Sequence, residues 1–249
     1  MGLFKQKRLS KEVLRAIKPE SRWKLWARAL FKPAWMNENQ EKALKAVKKI
    51  KNQNKLAQIA QRDYEGVSED IMAAAAESLT DQDLMAETAR SNKTPHDSAI
   101  ALVDRLTDQA LLAGVAQSPY SHASVRAVER LDDQALLAEV AKNAGIGGTS
   151  LGALVAVMEK LTDQILLADL AKTAESPALG CMAVEKLTDE NLLADVKKNA
   201  GEPATRIAAS SKLEGNPFPS AIESARKTIN KHRQKRNKNI APGAKATEQ

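Results

Sequence analysis

Apolar residues along the middle of the chain recur at the spacing of a short amphipathic helix. Leu136, Leu137 and Val140 show this spacing, and similar triplets occur both before and after them. Each apolar stretch stops after about ten residues at Asn, Ser or Gly, which are frequent at helix ends. Apolar positions three and four residues apart predict one buried side of a helix. The pattern therefore predicts a series of short helices.

A second helix is predicted after each of these stops. Its start is often marked by proline, which is favoured in the first turn of a helix. Such prolines are Pro95, Pro119, Pro177 and Pro203. The predicted buried stripes of the second helices are Ile100-Val103-Leu106, Val125-Val128-Leu131 and Cys181-Val184-Leu187.

A four-residue signature shows that these helix pairs are internal repeats. Its five clear copies begin at Leu79, Leu106, Leu131, Leu161 and Leu187 and read Leu-Thr-Asp-Gln or a close variant. Two fainter copies have their leading apolar residue at Ile50 and at Leu213. Successive copies are thus 25 to 30 residues apart. A fixed repeat of this length is typical of solenoid proteins.

The signature predicts the start of the first helix of each unit. We expect its second residue, Thr or in the third copy Asp132, to be the N-cap, and the next Asp to lie in the first turn, where the helix dipole favours an anion. Neither helix buries its apolar side alone, so neighbouring units must stack. The predicted fold is all-α, a right-handed α-solenoid of about six two-helix repeats, each of about 25–30 residues.

The repeat unit resembles a known class of helical repeats. A two-helix unit with a Leu-Thr-Asp-Gln-x-Leu-Leu-Ala signature is similar to the short HEAT-like repeats and variant leucine-rich repeats of bacterial proteins. The resemblance covers roughly residues 43–213. Such repeats often carry a Val-Arg pair in the second helix, which here is matched by Val125-Arg126. The resemblance implies the fold and does not identify a partner, because such arrays serve many functions.

Four segments are predicted from the extent of the repeats. Residues 1–42 form basic, Trp-containing N-terminal capping helices, expected at about 10–17 and 20–31, and residues 43–215 form the array. Residues 216–236 form a basic C-terminal capping helix, and residues 237–249 a disordered tail, which is too polar to pack. Atypical units at both ends are expected, because terminal repeats need a polar outer side.

Charge also divides the chain into two ends and a middle part. The whole chain carries +7 at neutral pH. Residues 1–58 carry a balance of +12 and residues 225–249 one of +7, whereas residues 59–224 carry −12. The repeats are therefore acidic and the two ends basic, which favours a polyanion or an acidic partner at the ends.

No enzymatic motif is found, and we expect neither catalysis nor a cofactor nor a metal site. Gly145-Ile146-Gly147-Gly148 lacks the Gly-Lys-Ser/Thr ending of a phosphate-binding loop and is interpreted as a lengthened turn. His96 and His122 are interpreted as exposed turn residues, since zinc needs three or four ligands around one point. A single cysteine, Cys181, excludes an internal disulfide. No apolar run is long enough for a membrane span.

The second helices carry a patterned exposed stripe. An acid and then a base precede each signature leucine in most copies, as in Glu129-Arg130. Stacking turns them into acidic and basic ladders beside a row of mostly small residues, Ala74, Ala101, Arg126, Ala156, Met182 and Ala208. This stripe is interpreted either as a solvated face or as a groove for a protein. The candidate groove residues are Glu77, Asp104, Arg126, Glu129, Glu159, Met182 and Glu185.

The basic ends offer a second candidate surface. Trp residues beside Lys and Arg suit either an anionic lipid surface or stacked bases on a phosphate backbone, and equally a capping helix that packs its Trp side on the first repeat. The candidate polyanion-binding residues are Arg22, Trp23, Lys24, Trp26, Arg28, Lys32, Arg226, Lys227, Lys231, Arg233, Lys235 and Arg236.

These observations favour a non-enzymatic, cytoplasmic protein-interaction scaffold whose partner is another protein. The alternative is a protein that associates with nucleic acid, ribosomes or anionic membranes through its basic termini.

Overall fold

A computed structural model describes residues 33–37, 39–62, 64, 66–119, 123–144, 150–217, 220–221, 224, 227–228 and 230–231. These residues form thirteen α-helices, one short 3-10 turn at Ala34–Met36 and no strand. The first seven helices are α1 Gln40–Val47, α2 Gln53–Ala60, α3 Glu69–Glu77, α4 Gln82–Arg90, α5 His96–Val103, α6 Gln109–Ala116 and α7 Ser124–Arg130. The others are α8 Gln134–Ala144, α9 Leu151–Lys160, α10 Gln164–Thr173, α11 Pro177–Lys186, α12 Glu190–Asn199 and α13 Pro203–Leu213.

The helices stack as a two-layer solenoid. The even-numbered helices α2 to α12 are the first helices of their units, and each packs against the second helix that follows it. Most helices also pack against the next helix of their own layer, as α4 does with α6 and α11 with α13. The described chain is therefore an all-α repeat solenoid, as the repeated signature predicts.

One continuous apolar core runs between the two layers. The signature leucine is fully buried in all five clear copies. The small residue Ala86 and its equivalents Ala113, Ala138 and Ala168 are buried too, which permits close helix approach. Ala194, at the same repeat position, is exposed. Ala194 lies on α12, and no further first helix follows α12 in the described residues to cover it.

Two details of the predicted buried stripes are wrong. Leu137 is fully buried, but its neighbour Leu136 is only half-buried, because the second leucine of the pair faces the core. In α7, Val125 is 37% exposed, whereas Val128 is fully buried. The predicted stripe of α7 contains no alanine. Ala127, together with Val128, supplies the side of α7 that faces the first helices, which leaves Val125 on the outer side.

The helix N-cap lies one residue later than the predicted threonine. Asp108 accepts hydrogen bonds from the amides of Ala110 (2.7 Å) and Leu111 (3.1 Å) at the start of α6. Asp163 caps α10 in the same way, and Asp81, Asp133 and Asp189 are equivalent. An ionised carboxylate accepts two amides and also meets the positive end of the helix dipole, so it is a better cap than a hydroxyl.

Several predicted segments lie outside the described residues. These are the helices expected at 10–17 and 20–31, the glycine turn at 145–149 and the tail at 237–249. Within the described part of the chain, no helix has both the length and the apolar character needed to cross a bilayer.

Candidate functional site

The outward side of the second helices forms a surface that we call the second-helix face. It consists of the residues two positions before each signature leucine on α3, α5, α7, α9, α11 and α13, and of those five or six positions before it that are not buried. Residues three, four and seven positions before that leucine point instead toward the first helices and are buried, as Ala99, Leu102 and Val103 show on α5. The predicted acidic row Glu77, Asp104, Glu129, Glu159 and Glu185 lies along this face.

The centre of the second-helix face is an ion-pair cluster. Arg126 Nε donates to Asp104 Oδ1 (2.6 Å) on the preceding unit, and Arg126 Nη1 donates to Glu129 Oε2 (2.9 Å) on its own helix. These contacts, first with Asp104 and then with Glu129, raise the pKa of the Arg126 guanidinium. The side chains are roughly half exposed, so the cluster contributes little stability. It connects the second helices of two neighbouring units, α5 and α7.

The Lys and Arg residues that directly precede the signature leucines, which form the basic ladder, do not line the second-helix face opposite the acidic row. Lys160 Nζ donates to the Glu129 carbonyl (2.8 Å), and Lys186 Nζ donates to the Glu159 carbonyl (2.8 Å) one unit later. Equivalent bonds to the end of the preceding second helix are made by Arg105, Arg130 and Lys212. Each cation therefore satisfies carbonyls at a helix C-terminus, where the dipole favours positive charge.

This arrangement changes the titration of two of the lysines. Burial lowers the pKa of Lys186 and that of Lys212, and nearby Glu159 and Glu185 oppose the shift. The ammonium groups are partly withdrawn from water because they reach across the boundary between units. The basic ladder is thus a connection between units, because its cations bond to carbonyls of the preceding unit.

A glutamine clamp connects the first helices to the next signature, and the sequence interpretation missed it. Gln134 Oε1 accepts from the amides of Thr162 (2.8 Å) and Asp163 (3.2 Å), and Gln134 Nε2 donates to the Lys160 carbonyl (3.4 Å). Equivalent contacts are made by Gln53, Gln82, Gln109 and Gln164. The last copy has Glu190 instead, and no clear signature follows it. The replacement of glutamine by Glu190 at this one repeat position is the sequence feature from which the clamp could have been predicted.

We expect Gln134→Ala to destabilise the protein by about 1–2 kcal/mol, because several hydrogen bonds between units are lost at a half-buried site. The measurement is the urea midpoint followed by circular dichroism. Glu190→Ala is the matched control at the same repeat position and should cost under about 0.5 kcal/mol, as an exposed change usually does. Equal midpoint shifts for the two variants would contradict the clamp.

Glu185 differs from the rest of the acidic row because the C-terminal segment lies against it. The Ser220 hydroxyl donates to Glu185 Oε1 (2.6 Å), and the Ala221 amide donates to Glu185 Oε2 (3.1 Å). Described residues from Ala221 to Lys231 have helical conformation. The Glu185 carboxylate therefore binds the start of a helix that lies on the outer side of the second-helix layer.

An apolar cleft of about 410 Å³ lies beside this contact. It is formed by α11, α13 and the C-terminal segment, which contributes Ala221 and Ser224. Ile207 lines the cleft and is 66% exposed, and the half-buried Cys181 lies on the opposite helix. The cleft therefore combines an uncovered apolar side chain with a carboxylate that binds a helix start.

The remaining predicted groove residues, and the row of small residues beside them, differ in how far they are exposed. Met182 is 1% exposed and belongs to the core, and Ala74 and Ala208 are buried as well. Ala101 and Arg126 are exposed and Ala156 is half-buried, so the row of small residues reaches the surface only in the middle units.

Only two of the predicted polyanion-binding residues are described. Lys227 and Lys231 are exposed. Those that lie outside the described residues are Arg22, Trp23, Lys24, Trp26, Arg28, Lys32, Arg226, Arg233, Lys235 and Arg236. His96 is exposed beside Asp97, and His122 also lies outside the described residues.

The opposite surface, on the first helices, is polar in its later units. Lys142 pairs with Asp169 (2.6 Å), and Lys172 pairs with Asp195 (2.8 Å) one unit further. The hydrogen bond with Asp195 raises the pKa of Lys172, and the same bond lowers the pKa of Asp195. These exposed pairs satisfy charge between neighbouring first helices.

Comparison with known proteins assigns no relative: no protein-family model, curated protein or solved structure matches this chain.

Proposed function

We propose that this protein is a non-enzymatic scaffold of HEAT-like repeats that binds another protein along its second-helix face. The observation that carries the proposal is the contact of Glu185 with Ser220 and Ala221. One carboxylate of the acidic row binds a helical segment there, so this face has the chemistry to hold a helix.

The rest of the face supports the same use. Glu77, Glu129 and Glu159 are exposed, and exposed apolar side chains occur on the same helices, namely Val125 and Leu151. Carboxylates in a row attract a basic partner and set its position, and apolar contacts between them contribute affinity.

Charge reversal tests this function. We expect the triple variant Glu77→Lys, Glu129→Lys and Glu159→Lys to lose at least one protein that the wild type captures from nuclease-treated bacterial lysate. The reason is that like charges across an interface repel the basic partner. Because the three side chains are exposed, the melting temperature should change little.

The matched control reverses three exposed acids of the first helices, Asp83→Lys, Glu87→Lys and Glu139→Lys, which changes the net charge equally. We expect it to capture the same proteins as the wild type. Identical capture profiles for both folded triple variants and the wild type would exclude the acidic row as the binding surface.

Binding of a polyanion through the basic ends is the second candidate function. The observation in its favour is that Lys227 and Lys231 expose their side chains on the described part of the C-terminal segment. The concentration of basic residues at both ends of an otherwise acidic chain supports it.

A further inference from the structure

The chain folds back on itself after α13. Gly215 has φ 69°, and the amides of Gly215 and Asn216 bond to the carbonyls of Lys212 (3.2 Å) and Ser211 (2.8 Å). This is the Schellman arrangement that ends a helix at glycine. The chain next reaches Ser220 beside Glu185, which lies one unit back on α11. The segment therefore lies on the outside of the second-helix layer and does not continue the repeat.

The described residues of this segment that contact the solenoid have small side chains. Ala221 packs against the core, and Ser224, one turn later, also lines the cleft. The Ser224 amide and hydroxyl both bond to the Ser220 carbonyl, which keeps the first turn compact. Small residues on one side of a helix permit close approach to α11 and α13. Ile207 nevertheless stays 66% exposed, so this segment covers the cleft only in part.

The segment is also complementary in charge to the surface on which it lies. Residues 225–249 carry a balance of +7, and the repeats carry −12 over residues 59–224. Among the described residues, this contact is made through the Glu185 carboxylate and two small side chains, Ala221 and Ser224. Such a contact is readily exchanged for another helix of the same kind.

We propose that the cleft between α11 and α13 is a docking site for a basic helix with a small-residue side, and that the chain's own segment from Ser220 is its built-in occupant. A partner helix must displace this segment, so the C-terminal segment limits access to the scaffold. This inference rests on the proposed function, because it assigns the partner's chemistry and its regulation to one end of the second-helix face.

The single cysteine offers a direct readout in the full-length protein. Cys181 lines the cleft beneath the segment, and no other cysteine reacts. Burial, and to a smaller extent Glu202, raises the pKa of the Cys181 thiol. The measurement is the rate at which an aromatic disulfide reagent modifies Cys181, corrected for the thiolate fraction from the pH profile of each variant.

We expect Glu185→Gln to raise the corrected rate about fivefold, which corresponds to the loss of one helix cap. Ala221→Gln, which places a larger neutral side chain against the core, should raise it at least as much. Glu159→Gln is the matched control, one unit earlier in the acidic row, and should leave the rate unchanged. Wild-type rates for both Glu185→Gln and Ala221→Gln would overturn the proposal, because the segment would then not cover the cleft.

Addition of a helix in trans tests exchange. A synthetic peptide of residues 218–236 should saturably return the rate of Ala221→Gln toward the wild-type value. The peptide should not lower the rate of the double variant Ala221→Gln with Glu185→Gln. A scrambled peptide of equal charge should not lower the rate of either variant. A peptide without effect on Ala221→Gln would overturn the docking site. These results do not depend on lysate capture, so this inference and the proposed function fail independently.

Discussion

Leu137→Ala is expected to lower the free energy of unfolding by about 2–5 kcal/mol. Leu137 is fully buried in the core between α8 and its neighbours. Truncation removes apolar contacts and leaves a cavity that helices held on both sides cannot fill by collapse. Because each unit of a solenoid is stabilised by its neighbours, damage at a central unit also weakens the units on either side.

Urea denaturation followed by circular dichroism measures this loss. Glu129→Ala is the control on the second-helix face and should cost under about 1 kcal/mol, since it removes only exposed ion-pair contacts with Arg126. Comparable midpoint shifts for Leu137→Ala and Glu129→Ala would mean that the buried and exposed sides are assigned wrongly.

The second large effect concerns salt. If the basic ends bind a nucleic acid, affinity for a labelled oligonucleotide should fall roughly a thousandfold between 50 and 200 mM salt for six phosphate contacts, because each contact releases counterions. Fluorescence anisotropy measures the affinity, and sedimentation with anionic vesicles distinguishes a lipid surface from a nucleic acid. The six C-terminal residues to neutralise are Arg226, Lys227, Lys231, Arg233, Lys235 and Arg236.

Neutralising these six residues should abolish most of the binding. Trp23→Ala with Trp26→Ala should weaken it further only if bases or lipids contact these rings. If the rings pack on the first repeat, the double variant loses thermal stability and keeps its residual binding. Absence of binding to both polyanions at 50 mM salt would exclude this function and leave the protein-binding scaffold.

The regulatory segment and the polyanion interface share residues, which makes their relation testable. The basic residues Lys227 and Lys231 belong to the segment that begins at Ser220, beside Glu185. A polyanion that binds this segment competes with the acidic repeats for it. The Cys181 readout should therefore also respond to a nucleic acid at low salt if both proposals hold.

The sequence by itself determined the fold class and the repeat register. Each copy carries its own apolar spacing, helix start and signature leucine, so helix pairs and their stacking follow from local pattern alone. The positions of the core leucines, from Leu79 to Leu187, were also evident, because a large apolar residue recurs at one phase of the repeat.

Only the tertiary structure decided which side chains connect the units. The Gln134 clamp and the Lys160 contact join residues 26 to 31 positions apart, so they depend on the rotation between units, which no local pattern encodes. The same reason applies to Glu185. In sequence it is one of five equivalent acids, and it becomes different only because the chain turns at Gly215 and brings Ser220 back to it.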